Sequence, residues 1–259
     1  MRAIRVATFA LASGISLAAC AHVTSPAPAS PPSPPPSMAP SEAPSSPSAI
    51  AVPSPSANPL QSALTATTAR GTATLAIDVL TASPGIERTL TGAGVVDFPR
   101  GAWDIRWSSS AGPSREVRTP DGFFVEVQPD SWLVVQPGRQ TPTSQAGDIL
   151  RGLSQVADAE PVGEESLQGT PTLRYRGYLP ASDDGGGLGL TDDERSMVQA
   201  DPNAMVEVTV WIDPAGRIVQ VMRTLVGAEP VAATSIVRLA DFGIAAPIAA
   251  PSSVAATAQ

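Results

Sequence analysis

From residue 72 onward, apolar and polar residues alternate along most of this chain. Ala73, Leu75, Ile77 and Val79 alternate with Thr72, Thr74, Ala76 and Asp78, and Gly94, Val96 and Phe98 share a face. Trp103, Ile105 and Trp107 alternate with Asp104 and Arg106, the clearest period-two signal in the sequence. Phe123, Val125 and Val127 follow, then residues 132–135, with turns at Pro120-Asp121-Gly122 and Pro129-Asp130. Successive side chains of an extended chain point to opposite faces, so this pattern predicts half-buried β-strands. Leu173, Tyr175, Gly177 and Leu179 repeat it, as do Val206, Val208, Val210 and Ile212. The last four lead through the turn Asp213-Pro214-Ala215-Gly216 into a returning strand over 218–226, and a final strand lies near 235–239.

Three stretches depart from period two. Residues 60–69 predict a short opening helix. Ile149, Leu150, Leu153 and Val156 have helical spacing over about 146–157, with Thr143 or Ser144 as the N-cap. Thr191-Asp192-Asp193-Glu194 is a capping box that opens a helix to about Ala200. The expectation is therefore an α+β domain with nine or ten strands and two or three short helices. A sheet of that size needs its apolar face covered. Helices this short cannot cover it if it is flat, so the sheet curls around its own apolar face or folds into a sandwich. A curled sheet closed by a few helices can leave an apolar cavity. Phe98, Trp103, Ile105, Trp107, Val206, Val208, Val210 and Ile212 are the candidates to line it, with ordinary core packing as the competing reading.

The two ends of the chain read differently. Arg2 and Arg5 precede an uncharged apolar run, Val6 to Leu17, and small residues then lead to Cys20, the one cysteine in 259 residues. That is an export signal over 1–19. The run is too short to span a bilayer as a helix, which takes about 20 residues. Leu17-Ala18-Ala19-Cys20 resembles a bacterial lipobox, in which the cysteine is acylated and becomes the mature N-terminus. Residues 21–59 hold 13 prolines among Ser and Ala. Such a segment is too poor in apolar surface to fold, so 20–59 reads as an acylated, disordered tether with a reach of at most roughly 120 Å. Residues 60–245 form the domain, and 246–259 read as a disordered tail.

Charge and chemistry then exclude several classes. The net charge is −8, every basic residue is arginine, and no basic stripe suggests nucleic acid. The only histidine, His22, lies beside the expected anchor, so neither histidine catalysis nor a histidine metal site is available to the domain. No serine sits in a nucleophile-elbow pattern. The acids Asp183, Asp184, Asp192, Asp193 and Glu194 lack the spacing of a calcium loop, and capping explains them better. Gly185-Gly186-Gly187-Leu188-Gly189 is no phosphate loop and reads as a flexible flap. Arg174 and Arg176 could pair with a lipid phosphate, but as alternate residues of one strand face they read as solvated. The expectation is a non-enzyme without cofactor or metal.

Three motifs in order carry a family resemblance. The first is Asp148-Ile149-Leu150-Arg151-Gly152-Leu153 followed by Val162-Gly163-Glu164-Glu165-Ser166-Leu167-Gln168-Gly169-Thr170-Pro171-Thr172-Leu173-Arg174-Tyr175. The second is Val208-Thr209-Val210-Trp211-Ile212-Asp213-Pro214-Ala215-Gly216-Arg217-Ile218-Val219, and the third is Val237-Arg238-Leu239-Ala240-Asp241-Phe242-Gly243. Behind a lipobox and a linker, this order resembles actinobacterial lipoproteins of the LppX and LprG type. The resemblance implies a LolA-like fold, a curved antiparallel half-barrel with helices on its concave side. It implies acyl chains bound in the cavity and carriage of lipid or lipoglycan across the envelope. It also implies a monomer held to the extracytoplasmic side of the cell membrane by its lipid anchor. A tethered sensor or protein-interaction module is the alternative, since such a half-barrel can be filled by its own side chains.

Overall fold

The asparagine at position 58 caps the first helix. In the computed structural model, which describes residues 58–135, 150–183, 188–245, 247–252 and 254–257, the Asn58 side chain caps helix α1 (Pro59–Thr68). It accepts from Leu60 N at 3.0 Å and donates to Val156 O at 3.1 Å, so the cap also ties the helix to a distant segment. Pro59 occupies the first turn, where a missing N–H costs nothing.

Six strands follow in succession: β1 (Thr72–Ser83), β2 (Ile86–Asp97), β3 (Ala102–Ser109), β4 (Gly112–Thr119), β5 (Gly122–Gln128) and β6 (Ser131–Val135). After a 3-10 turn at Arg151–Gln155 come β7 (Ala157–Leu167) and β8 (Thr170–Pro180). Helix α2 (Asp192–Gln199) precedes β9 (Met205–Ile212), β10 (Ile218–Val226), β11 (Ala232–Ala240) and the short β12 (Val254–Thr257). They form one open, curved sheet in the order β12-β6-β5-β4-β3-β2-β1-β11-β10-β9-β8-β7. Eleven strands are antiparallel, and β12 joins β6 in parallel. The α+β class is as expected.

The strands counted exceed those expected because two have weak patterns and a third, β12, lies in the stretch expected to be a disordered tail. In β4, Gly112-Pro113-Ser114-Arg115 breaks the alternation; in β7, Pro161, Gly163 and three glutamates do so. Such residues are tolerated on an edge strand, where they also discourage pairing with other chains, and β7 is an edge. The expected helix over 146–157 is corrected where it is described: Arg151–Gln155 is a 3-10 turn and the chain is already extended at Ala157. Residues 146–149 lie outside the described residues, as do 1–57 with Cys20, and Gly185–Gly187.

One face of the sheet carries the main core. Ala73, Leu75, Ile77 and Val79 of β1, Val206, Val208 and Val210 of β9, and Val237 and Leu239 of β11 are buried there. Leu60 and Ala63 of α1, Val198 of α2, and Leu153, Val156, Leu188 and Leu190 of the connecting segments join the same cluster. Trp107 fits because Gly92 leaves it room: a Cβ on Gly92 would lie 2.6 Å from the indole. At Gly94 a Cβ would lie 2.0 Å from the Asp104 carbonyl oxygen, so β2 and β3 approach closely only through glycine.

The opposite face carries a second, smaller core. Ala102, Val117, Phe124 and Trp132 of β3–β6 alternate with residues of the main core face, and Ile248 packs on them. Ile248 is 3% exposed, and Arg100 Nη1 donates to its carbonyl at 3.3 Å. Thr72 Oγ1 donates to Ile244 O at 2.5 Å, starting the chain along this face. The tail expected to be disordered from 246 is thus corrected over its described part. It straps the outer face because Ile248 covers apolar surface that β3–β6 would otherwise leave wet.

Candidate functional site

The candidate site lies between α1 and the β2–β4 part of the main core face. Leu60, Ala63 and Thr67 of α1 point into the packed core. The neighbouring stripe, Gln61, Leu64, Thr65 and Thr68, follows i, i+3, i+4, i+7 spacing and lines a cavity of about 390 Å³. Its other wall is Val96, Asp97 and Phe98 at the end of β2, with Gly101, Trp103, Arg118 and Leu150.

Two contacts hold α1 as the roof of this cavity. Thr67 is fully buried; its hydroxyl donates to Ala63 O at 2.7 Å and accepts from Ile218 N at 2.8 Å. That bond satisfies a backbone donor beside the irregularity between Ile218 and Gln220, where β10 slips against β9. The Asn58 cap fixes the other end of the helix.

Among the described residues the wall combines an apolar surface with one cation. Trp103 and Arg118 are register partners across β3 and β4, so they share a face. The guanidinium carbon of Arg118 lies 4.7 Å from the Trp103 ring centroid, a cation–π contact. Phe123, the next residue across the sheet, meets Trp103 at 6.5 Å between centroids. Among the described residues Asp97 is the one acid on the wall. Its carboxylate accepts from Arg100 N at 3.1 Å and lies 3.9 Å from Arg100 Nη1. The Trp103 indole N–H is buried and has no hydrogen-bond partner among the described residues.

The expected lining residues separate into three groups. Phe98 and Trp103 line this cavity. Trp107 lines a smaller one of about 300 Å³ on β3–β5, with Arg106, Arg115 and Glu126. Ile105, Val206, Val208 and Val210 are 0% exposed within the main core, and Ile212 packs at its margin. Leu64, Arg118 and Leu150 were not among the candidates. Leu64 was hidden because helix faces cannot be assigned until the helix is docked. Arg118 lies in a strand whose alternation is broken.

Other tempting groups have structural partners. Glu194 completes the capping box of α2 and accepts from Ser83 Oγ at 3.1 Å and from Arg88. Arg174 pairs with Glu165 at 3.0 Å, which also accepts from Trp211 Nε1. Among the described residues no cluster of His, Cys, Asp and Glu could hold a metal ion, and no helix is long and apolar enough to cross a membrane.

No family model matches this chain, and no curated protein does. Solved structures do. The Mycobacterium tuberculosis lipoprotein LppX is similar at 17% identity and a TM-score of 0.48, covering 74% of this chain and 96% of that one. LprF from Mycobacterium bovis is similar at 14% identity and a TM-score of 0.46, covering 74% and 95%. A LolA-superfamily protein from Nitrosomonas europaea is similar at 11% identity and a TM-score of 0.30, covering 71% and 90%. The solved structures that this chain is similar to thus include lipoproteins of the type its motifs resemble and a member of the LolA superfamily.

Proposed function

We propose that this protein is an extracytoplasmic lipoprotein, anchored through Cys20, that binds one acyl chain beneath α1. The cavity carries this reading. At about 390 Å³ it is at the small end of ligand pockets, which run about 300–1,000 Å³. Leu64, Val96, Phe98, Trp103 and Leu150 give it an apolar wall. That size suits a single chain rather than a lipid with several. Each methylene buried there contributes about 0.8 kcal/mol. Residues 20–59 then serve as spacer, and the protein works as a monomer without catalysis.

The test is titration of the solvent-extracted full-length chain with a fluorescent fatty acid. Saturation at micromolar concentration supports the reading, and Leu64→Trp, which fills the cavity from α1, lowers the affinity while the melting temperature holds. The anchor has its own test: Cys20→Ala protein is released from membranes or remains unprocessed, whereas retention after a carbonate wash puts the anchor elsewhere.

A second reading, a tethered interaction module, draws on a different observation. Over β9 the core face is closed by the protein's own side chains, with Val206, Val208 and Val210 fully buried. A fatty acid that fails to saturate the chain makes the module the better reading.

A further inference from the structure

We infer that the outer-face groove under Ile248 is a docking site with two occupants in this chain: the C-terminal strap, and residues 50–54 of the tether, which carry the same motif. Ile50-Ala51-Val52-Pro53-Ser54 differs from Ile248-Ala249-Ala250-Pro251-Ser252 only in its third residue. The strap repeats the unit, since Ile244-Ala245-Ala246-Pro247 stands directly before it. Ile50 is the one isoleucine between Cys20 and Asn58, and it lies outside the described residues.

The seated copy shows what the groove reads. Ile248 is 3% exposed and packs on Ala102, Val117, Phe124 and Trp132. Arg100 Nη1 donates to its carbonyl at 3.3 Å, a backbone contact that Ile50 offers equally. Ala249 and Ala250 are exposed, so Val52, the one difference, falls where the groove makes no demand. The proline that follows brings no N–H to leave unpaired and favours an extended chain.

Beyond Ile248 the tail adds one weak attachment. β12 joins β6 in parallel through two register pairs with a shift between them, and parallel pairing is the less stable kind. The tether has no such strand to add, because Pro55 stands where the tail has Ser253 and α1 starts at Pro59. The tail is therefore the better occupant, and the tether takes the groove when the tail opens. Eight residues from Ile50 to Asn58 span at most about 29 Å. Gln61 of α1 lines the same cavity as Gly101, which adjoins Ala102 of the groove, so the path round the β2–β3 turn is short. With Ile50 seated and Cys20 as anchor, the tether's reach falls from roughly 120 Å to roughly 90 Å, and the exchange sets how far the domain stands from the membrane.

Hydrogen exchange of the full-length chain, read by mass spectrometry over residues 248–257, tests this. A segment that occupies the vacated groove stabilises the open state by mass action. Ile50→Ser removes that occupant and leaves the domain's own residues intact. The tail of this variant is expected to exchange about threefold more slowly than that of the wild type, by the same factor at about 1 and about 100 μM protein. An unchanged tail rate overturns the inference. A difference that grows with protein concentration assigns the tether to a second copy and overturns docking within one chain. In Ile248→Ser the converse holds, and the peptide over residues 48–57 gains protection; a folded Ile248→Ser protein without that gain overturns the inference as well. The comparison of Ile50→Ser with wild type decides the matter even where Ile248→Ser fails to fold.

Discussion

Arg217 stacks on Phe242, its guanidinium carbon 4.6 Å from the ring centroid. The same guanidinium is held by Asp213, with Nε donating at 2.7 Å and Nη2 at 2.5 Å. Asp213 in turn accepts from Ala215 N and Arg217 N, which shapes the turn between β9 and β10. The contact therefore joins that turn to the end of β11, and two of the sequence motifs that carried the family resemblance meet in space. A double-mutant cycle with Arg217→Ala and Phe242→Ala is expected to give a coupling of about 0.5–1 kcal/mol in urea unfolding. A coupling of zero would mean the stack is incidental.

Helix α2 responds to acid through Glu194. Burial pushes its carboxyl pKa up, but the Thr191 N–H and hydroxyl, the Arg88 guanidinium and the Ser83 hydroxyl together hold it below the ordinary value of 4.5. A carboxylate with a depressed folded pKa stabilises above its unfolded pKa, and that stabilisation is lost as pH falls through the folded value. Thermal melts from pH 7 to pH 3 should therefore show an acid-side loss that is smaller in Glu194→Gln. At pH 7 the variant should be less stable by about 1–2 kcal/mol, the usual worth of such a cap with charged hydrogen bonds. Parallel curves for the two proteins would refute this.

The roof of the cavity depends on one hydroxyl. Thr67→Val keeps the shape but leaves Ile218 N–H buried without its acceptor, at a cost of about 1–3 kcal/mol. For a domain of this size that lowers the melting temperature by about 2–4 °C for each kcal/mol. Hydrogen exchange at Ile218 should accelerate more than at Val237 in β11. A uniform acceleration would instead show that the bond has no local role.

Gly94→Ala should be among the most damaging small substitutions in the sheet. The added Cβ meets backbone, the Asp104 carbonyl at 2.0 Å, rather than a side chain that can turn away. Overpacking costs about 1–3 kcal/mol or more. Gly92→Ala meets the Trp107 ring instead, so Trp107→Phe in the same chain should recover part of its loss. If Gly94→Ala melts like the wild type, β2 and β3 can separate there without penalty.

Removing residues 247–259 should uncover the outer core at Val117, Phe124 and Trp132. The truncated protein is expected to melt lower and to bind the dye ANS. Ile248→Ala alone should cost about 2–5 kcal/mol, the range for a large-to-small change at a buried site. Unchanged melting in both variants would mean that the strap contributes no stability.

The local elements were legible in the sequence where short-range rules decide them. Period-two alternation located β1, β3, β8 and β9, because the pleat alone fixes which side chains share a face. Thr191 and Glu194 announced α2, since the capping box closes within four residues. Asp213 to Gly216 announced its turn for the same reason. Phe98 and Trp103 were legible as apolar residues of the inner face. What these residues face was decided by contacts between distant segments. Val206, Val208 and Val210 carry the same pattern as Trp103, yet they lie in the closed part of the core, because the helices and Leu188 and Leu190 join them there. Trp103 borders a cavity because α1 is pinned over it by Thr67 at Ile218, 151 residues away. Ile248 reads as part of an alanine- and proline-rich tail until β3–β6 present it with an apolar surface. Alternation and caps are local properties of the backbone, whereas burial depends on which surfaces the finished sheet leaves uncovered, and only the tertiary structure settles that.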